Sequence, residues 1–261
     1  MLNRGRIAFC AALLLLLAPA VTASQSALPA VAPGGKAPSL AVIVWHDVID
    51  GEREVWFDTP LPAFRAQLEA IRHGGYHVIP LAMLRDHLVS GKPVPSKPIA
   101  LTFDDNGHGI YDNAFPLLVK YHYPATLFVH TNFVGTTTSK RHNTWDQLKE
   151  MERSGLIDVQ SLTANHPPDL RQLSDSDVVH ELTLSRYSLE HRLGHPVYAL
   201  VYPEDNYDER VARLAAANGY QMAFIEDWGA AGESANLLMI HRYSALTRFD
   251  QALSDVAAGA R

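Results

Sequence analysis

A chain of 261 residues, 47% hydrophobic and 19% charged, is long enough for one large α/β domain and too apolar for extended disorder in its body. Its 22 basic and 28 acidic residues give a formal charge of −6. That balance argues against nucleic acid or anionic lipid as the main partner and suits a neutral substrate.

The N-terminus reads as a secretory signal, residues 1–23. Arg4 and Arg6 precede the apolar run Ile7 to Leu17, Pro19 breaks it, and Val21-Thr22-Ala23 offers small residues for cleavage after Ala23. The run is short for a bilayer span, although an uncleaved anchor is the alternative. Cleavage removes Arg4, Arg6 and Cys10, leaving 20 basic against 28 acidic residues, a charge of −8 and no cysteine. Disulfide and thiol chemistry are then excluded. The expected destination is the periplasm or the exterior, with no transmembrane span after cleavage. Residues 24–39, rich in Ala, Pro, Ser and Gly, read as a tether without a core face. Residues 40–261 read as a single domain.

From residue 40, short apolar runs alternate with helical patterns. The runs are Leu40–Val44, Ile99–Thr102, Ala125–Val129, Ile157–Gln160, Val197–Tyr202, Gln221–Ile225 and Leu238–Ile240. Their unbroken apolar character predicts strands covered on both faces. Between them, Phe64, Leu68 and Ile71 recur at helical spacing. Val178, Leu182 and Leu189 follow a Ser174-Asp175 cap and stop at Gly194, and Val211, Leu214 and Ala215 follow Asp208 and stop at Gly219. Strand–helix alternation implies parallel strands with right-handed crossovers, and about seven strands fit a closed or nearly closed barrel. An open doubly wound sheet is the other architecture. In both, function gathers where strands end.

Three strand ends carry chemistry. The second strong strand ends Thr102-Phe103-Asp104-Asp105, where adjacent carboxylates point different ways and can divide metal binding from proton transfer. The fourth run leads into Ser161-Leu162-Thr163-Ala164-Asn165-His166-Pro167, and the first ends Trp45-His46-Asp47-Val48. Taken singly, each also reads as an ordinary turn or surface residue.

Together these stretches resemble the NodB-type polysaccharide deacetylases. The resemblance rests on Leu101-Thr102-Phe103-Asp104-Asp105, Tyr111-Asp112-Asn113-Ala114-Phe115-Pro116 and Pro124-Ala125-Thr126-Leu127-Phe128-Val129. Trp45-His46-Asp47-Val48, with Phe64 to Ile71 and Gly75-Tyr76, is similar to the branch acting on poly-N-acetylglucosamine exopolysaccharide. It runs from about residue 40 to 244. The resemblance implies a distorted (β/α)7-type barrel and an acetylated polysaccharide as partner. It also implies a divalent metal, usually zinc, held by one Asp and two His, leaving an open position for water. Carried over, Asp104 is the general base, Asp105 a metal ligand, His166 the second ligand histidine and His46 the general-acid candidate.

The sequence departs from the family at three places. The first ligand histidine falls at Leu162, which has no lone pair, so weak metal binding is expected. Asp-Asp-Gly reads Asp104-Asp105-Asn106, a mild change because Asn tolerates left-handed backbone. Tyr-Pro-Tyr-Gly reads Tyr202-Pro203-Glu204-Asp205, which reshapes the groove around Tyr202. His108, in the flexible-looking Gly107-His108-Gly109, is a possible replacement ligand, with plain surface exposure the other reading. His130 is a groove candidate, Arg242 a support for Asp104, and Trp228 a sugar-stacking face or a cover for the barrel edge. His73, His87, His142, His191 and His195 receive no role. The functional alternatives are hydrolysis of N-acetyl groups on an N-acetylglucosamine polymer and a non-catalytic module binding polysaccharide in the same groove.

Overall fold

The computed structural model describes residues 27–35 and 40–259. The expected signal segment and its cleavage site lie outside the described residues. The chain runs β1 (Ala41–Trp45), β2 (Asp47–Ile49), β3 (Asp58–Pro60), α1 (Leu61–His73), β4 (His77–Val78), α2 (Leu81–Ser90), β5 (Pro98–Phe103) and α3 (Phe115–Tyr121). It continues with β6 (Ala125–Val129), α4 (Trp145–Arg153), β7 (Ile157–Ser161), α5 (Asp175–Leu193), β8 (Ala199–Val201), α6 (Glu209–Ala217), β9 (Met222–Ile225), β10 (Ile240–His241), β11 (Tyr243–Ser244) and α7 (Phe249–Gly259).

All the pairings in the main sheet are parallel, in the order β10-β9-β8-β7-β6-β5-β1-β11. The two ends of that order are one stretch of chain. Ile240 and His241 pair with β9, Tyr243 and Ser244 pair with β1, and Arg242 sits between them. The sheet therefore curls into a distorted seven-position (β/α) barrel forming a single domain. Every residue of β1, β5, β6, β8 and β9 is buried. That is the pattern of strands covered inside by barrel packing and outside by helices.

The apolar runs locate these strands to within a residue or two. Ala125–Val129 matches completely, while Val197–Tyr202 shrinks to the three residues of β8. Local capping chemistry fixes the helix ends. Ser174 accepts a hydrogen bond from the Asp177 amide, Asp208 accepts one from the Val211 amide, and Gly194 closes α5 at φ +83°.

Two expectations need correction. Residues 27–35, within the stretch read as a tether, pack onto the barrel. Val31 is buried, the Ala32 amide donates to the Leu88 carbonyl at 2.8 Å, and the Leu237 amide donates to the Pro29 carbonyl at 2.8 Å. Composition conceals this, because two apolar side chains, Leu28 and Val31, and two backbone bonds suffice to dock so short a segment. The Gly107-His108-Gly109 loop is also packed rather than loose. A Cβ on Gly109 would lie 2.1 Å from the Val48 carbonyl oxygen, and one on Gly107 would lie 2.5 Å from the Asp47 carboxyl carbon. Gly109→Ala is therefore expected to destabilise the fold by about 1–3 kcal/mol, the usual cost of overpacking. A urea midpoint equal to that of the wild type would show that the β2 backbone yields freely.

Candidate active site

The C-terminal ends of the strands surround a cavity of about 230 Å³. His46, Asp104, Asp105, Leu162, His166, Tyr202, Trp228 and Arg242, all singled out in the sequence, line it together. A second cavity of about 270 Å³ adjoins it and shares His46, Phe57, Asp105, His166 and Glu204.

The two adjacent carboxylates divide as strand alternation predicts. Asp104 is buried and held by Arg242 through two hydrogen bonds, Nη1 to Oδ1 at 2.9 Å and Nη2 to Oδ2 at 2.7 Å. Arg242 is 1% exposed, and its guanidinium lies 5.8 Å and 6.0 Å from the ring centres of Phe128 and Phe224. The paired fork fixes the Asp104 carboxylate in one plane. Asp105 turns instead toward His166, with Oδ1 3.7 Å from Nε2. Burial pushes the Asp105 carboxyl above the usual carboxylate range, partly offset by His46 and His166. Burial likewise raises Asp205 and Glu226 on the same wall.

Backbone strain gathers at this rim. Asp105, His166, Glu204, Asp205 and Trp228 all line the cavity with φ between +51° and +69°. Asn106 at +60° and Thr163 at +61° directly follow cavity residues. A β-branched residue such as Thr163 rarely adopts this conformation, and strained backbone clusters at functional sites.

The loop carrying His166 has a support that sequence reading missed. Glu181 of α5 is buried and accepts hydrogen bonds from the Ala164 amide at 3.1 Å, the Asn165 amide at 2.8 Å and Asn165 Nδ2 at 2.7 Å. Glu181→Ala leaves the buried Ala164 amide without an acceptor, while the donors of the exposed Asn165 can turn to water, so it is expected to cost about 1–3 kcal/mol, the range for one buried unsatisfied group. Unfolding free energy within about 0.5 kcal/mol of wild type, the ordinary range for a surface substitution, would refute this support. The only sequence signal was a carboxylate in the middle of a helix, facing inward among Val178, Leu182 and Ser185.

The remaining candidates are placed as follows. Tyr202 forms cavity wall while its hydroxyl donates to the Leu238 carbonyl at 3.1 Å and its ring stacks on Tyr207 at 4.8 Å. Trp228 is half exposed under the Arg248 guanidinium, 4.6 Å from the ring centre. Trp56, 75% exposed, and Phe57 add aromatic faces that the sequence reading did not single out. His130 lines the second cavity against the rings of His142 and His166. Burial, with its two histidine neighbours, pushes it down to about 3. His108 lines neither cavity and is tied at 2.6 Å to both Asp112 and Arg141.

Asp105 Oδ1 and His166 Nε2 are spaced close to the roughly 3.4 Å expected of two donors on one tetrahedral ion. Leu162 lines the same wall, is 1% exposed and belongs to the apolar core. Leu162 therefore packs as core as well as facing the cavity: the motif marks its position in the loop but not its burial. The donor set is one short of the three that hold a hydrolytic zinc.

The fold is a (β/α) barrel with carboxylates and histidines gathered at the strand ends. The chain belongs to the polysaccharide deacetylase family, hydrolases of amide bonds, whose family model matches residues 91–223. It is 27% identical to YxkH of Bacillus subtilis over 225 residues, 86% of this chain and 76% of that protein. It is 30% identical to the poly-beta-1,6-N-acetyl-D-glucosamine N-deacetylase of Staphylococcus epidermidis over 174 residues, 62% of this chain and 58% of that protein. The chain thus matches less than two thirds of that relative's length. The structure of Streptococcus pyogenes deacetylase PplD in complex with acetate shares the fold, with a TM-score of 0.75 and 24% identity over 85% of this chain and 98% of that one.

Proposed function

We propose that this chain hydrolyses N-acetyl groups on an N-acetylglucosamine-containing polysaccharide outside the cytoplasm. The observation that carries the reading is the convergence of His46, Asp104, Asp105 and His166 on one strained rim. The Staphylococcus epidermidis relative supports the choice of polymer. The signal-like N-terminus supports export, and among the described residues no helix is long and apolar enough to cross a membrane.

Asp105 and His166 are the residues that would hold a divalent metal, with zinc the expected ion and weak affinity expected from Leu162. Such an ion, when bound, polarises the acetyl carbonyl and acidifies water. Asp104, held in plane by Arg242, accepts the water's proton, and protonated His46 delivers one to the departing amine. Trp228, Trp56 and Phe57 offer faces for sugar rings, with Tyr202 behind them.

The second reading, a module that binds polysaccharide without cleaving it, is favoured by one observation: the third donor position is apolar. Acetate release from β-1,6-linked N-acetylglucosamine oligomers, measured after chelator treatment and again with added zinc, separates the two. Zinc-dependent acetate supports the hydrolase. Binding of the oligomers without acetate at any metal concentration overturns it in favour of the module.

A further inference from the structure

At the opposite end of the barrel, Glu152 lies in the last turn of α4, Asp158 is the second residue of β7, and His195 follows the Gly194 cap of α5. One ligand atom from each lies within 4.8 Å of the others. Asp158 stands four residues before Leu162, which at the strand rise puts it about 13 Å from the cavity wall. This cluster is therefore no part of the site described above.

Its hydrogen bonds show what the cluster lacks. His195 Nδ1 faces the Pro196 carbonyl at 3.1 Å, an arrangement that places a proton on Nδ1. The Nε2 lone pair of a neutral ring then points at the Glu152 carboxylate, 2.5 Å away. Two sets of lone pairs at that distance require a proton between them, and the Glu152 carboxylate accordingly holds the His195 imidazole above its ordinary range; a metal ion takes the place of that proton only with the two atoms about 3.4 Å apart. One proton would serve two carboxylates. Asp158 receives only neutral donors, Gln160 Nε2 at 2.8 Å and the Tyr198 hydroxyl at 3.1 Å. A divalent cation would neutralise both carboxylates together.

Each group also has the outer partner that orients a metal ligand. The Val159 amide donates to Glu152 at 3.1 Å, Gln160 and Tyr198 donate to Asp158, and the Pro196 carbonyl accepts from His195. All three residues are partly exposed, so water can reach a fourth position. One imidazole nitrogen with two carboxylate oxygens is a donor set for zinc and similar first-row ions.

We propose that Glu152, Asp158 and His195 form a structural divalent-cation site of the zinc class, which ties α4, β7 and the connection after α5 together at the closed end of the barrel. Glu152 and His195 open slightly from their direct contact to admit the ion.

The site is tested by zinc alone on the full chain, stripped with chelator and followed by calorimetry and thermal unfolding. Wild type is compared with His195→Gln, Glu152→Gln and the double variant Asp105→Asn/His166→Ala. The expected result is one zinc equivalent that persists in the double variant, disappears in His195→Gln and weakens at least tenfold in Glu152→Gln. The melting temperature should rise with zinc in wild type and in the double variant. If His195→Gln does not fold, the tenfold loss in Glu152→Gln decides the question. The proposal is overturned if the double variant binds no zinc, or if wild type and Glu152→Gln bind it equally. Either result would leave the cluster as an ion pair. Total zinc content of the wild type alone does not report on the active-site cavity, because this cluster would contribute to it.

Discussion

Asp104→Asn is expected to lower acetate release about 10²- to 10⁴-fold, the range for removing a general base. The structure adds a second expected effect. Arg242 is 1% exposed and spends its fork on both Asp104 oxygens. Removing one partner of a buried pair typically costs about 3–5 kcal/mol, because the other charge remains desolvated. Asn keeps one acceptor, and the Phe128 and Phe224 faces remain near the guanidinium, so the loss for Asn should fall below that range. Asp104→Ala keeps neither acceptor and should reach it. Activity must therefore be expressed per folded molecule, with folding followed by near-ultraviolet circular dichroism. A folded Asp104→Asn protein that loses less than about tenfold, well short of the general-base range, would remove Asp104 from that role.

What the sequence made legible depended on the range of the signal. Ala125–Val129 is apolar throughout because β6 is covered on both faces, so local composition reveals it. β4 and β11 have two residues each and carry no such pattern, and the run Leu238–Ile240 meets the two-residue β10 only at Ile240. Asp104 and Asp105 could be read as a pair because they are neighbours. The bond between Asp104 and Arg242 spans 138 residues; the family resemblance pointed to it where no local signal could, and barrel closure at Arg242 brings the two together. Glu181 supports the His166 loop from a different element, and Lys140 reaches both Asp47 and Asp58 from a distant loop. Neither contact has a local signature. Leu162 shows the limit most clearly. A motif frame says which backbone position faces a site, but only the packed structure shows that the side chain there also belongs to the core.

Leu162→His should make metal binding and stability move together. The wild-type side chain is 1% exposed, and the Leu162 amide is anchored to the Val129 carbonyl at 3.0 Å, so the backbone should keep its aim. Replacing the buried leucine sacrifices about 1.5–3 kcal/mol of apolar burial, and the imidazole gains nothing in return while metal is absent. The metal-free variant should therefore melt below wild type. Zinc should offset most or all of that loss. Three donors, Asp105, His166 and the new histidine, complete a hydrolytic set, and saturation at a hundred times the dissociation constant adds about 2.7 kcal/mol. The zinc-induced rise in melting temperature should thus exceed that of wild type, measured with His195→Gln in both backgrounds so that the opposite end of the barrel does not contribute. Acetate release then separates two outcomes. If the site is a weakened enzyme, turnover should rise with zinc occupancy. If Glu204 and Asp205 have also dismantled the groove, zinc will bind without acetate. A folded Leu162→His protein whose zinc affinity equals that of its Leu162 parent would mean that position 162 does not face the ion, and the assignment of His166 as a ligand would fall with it.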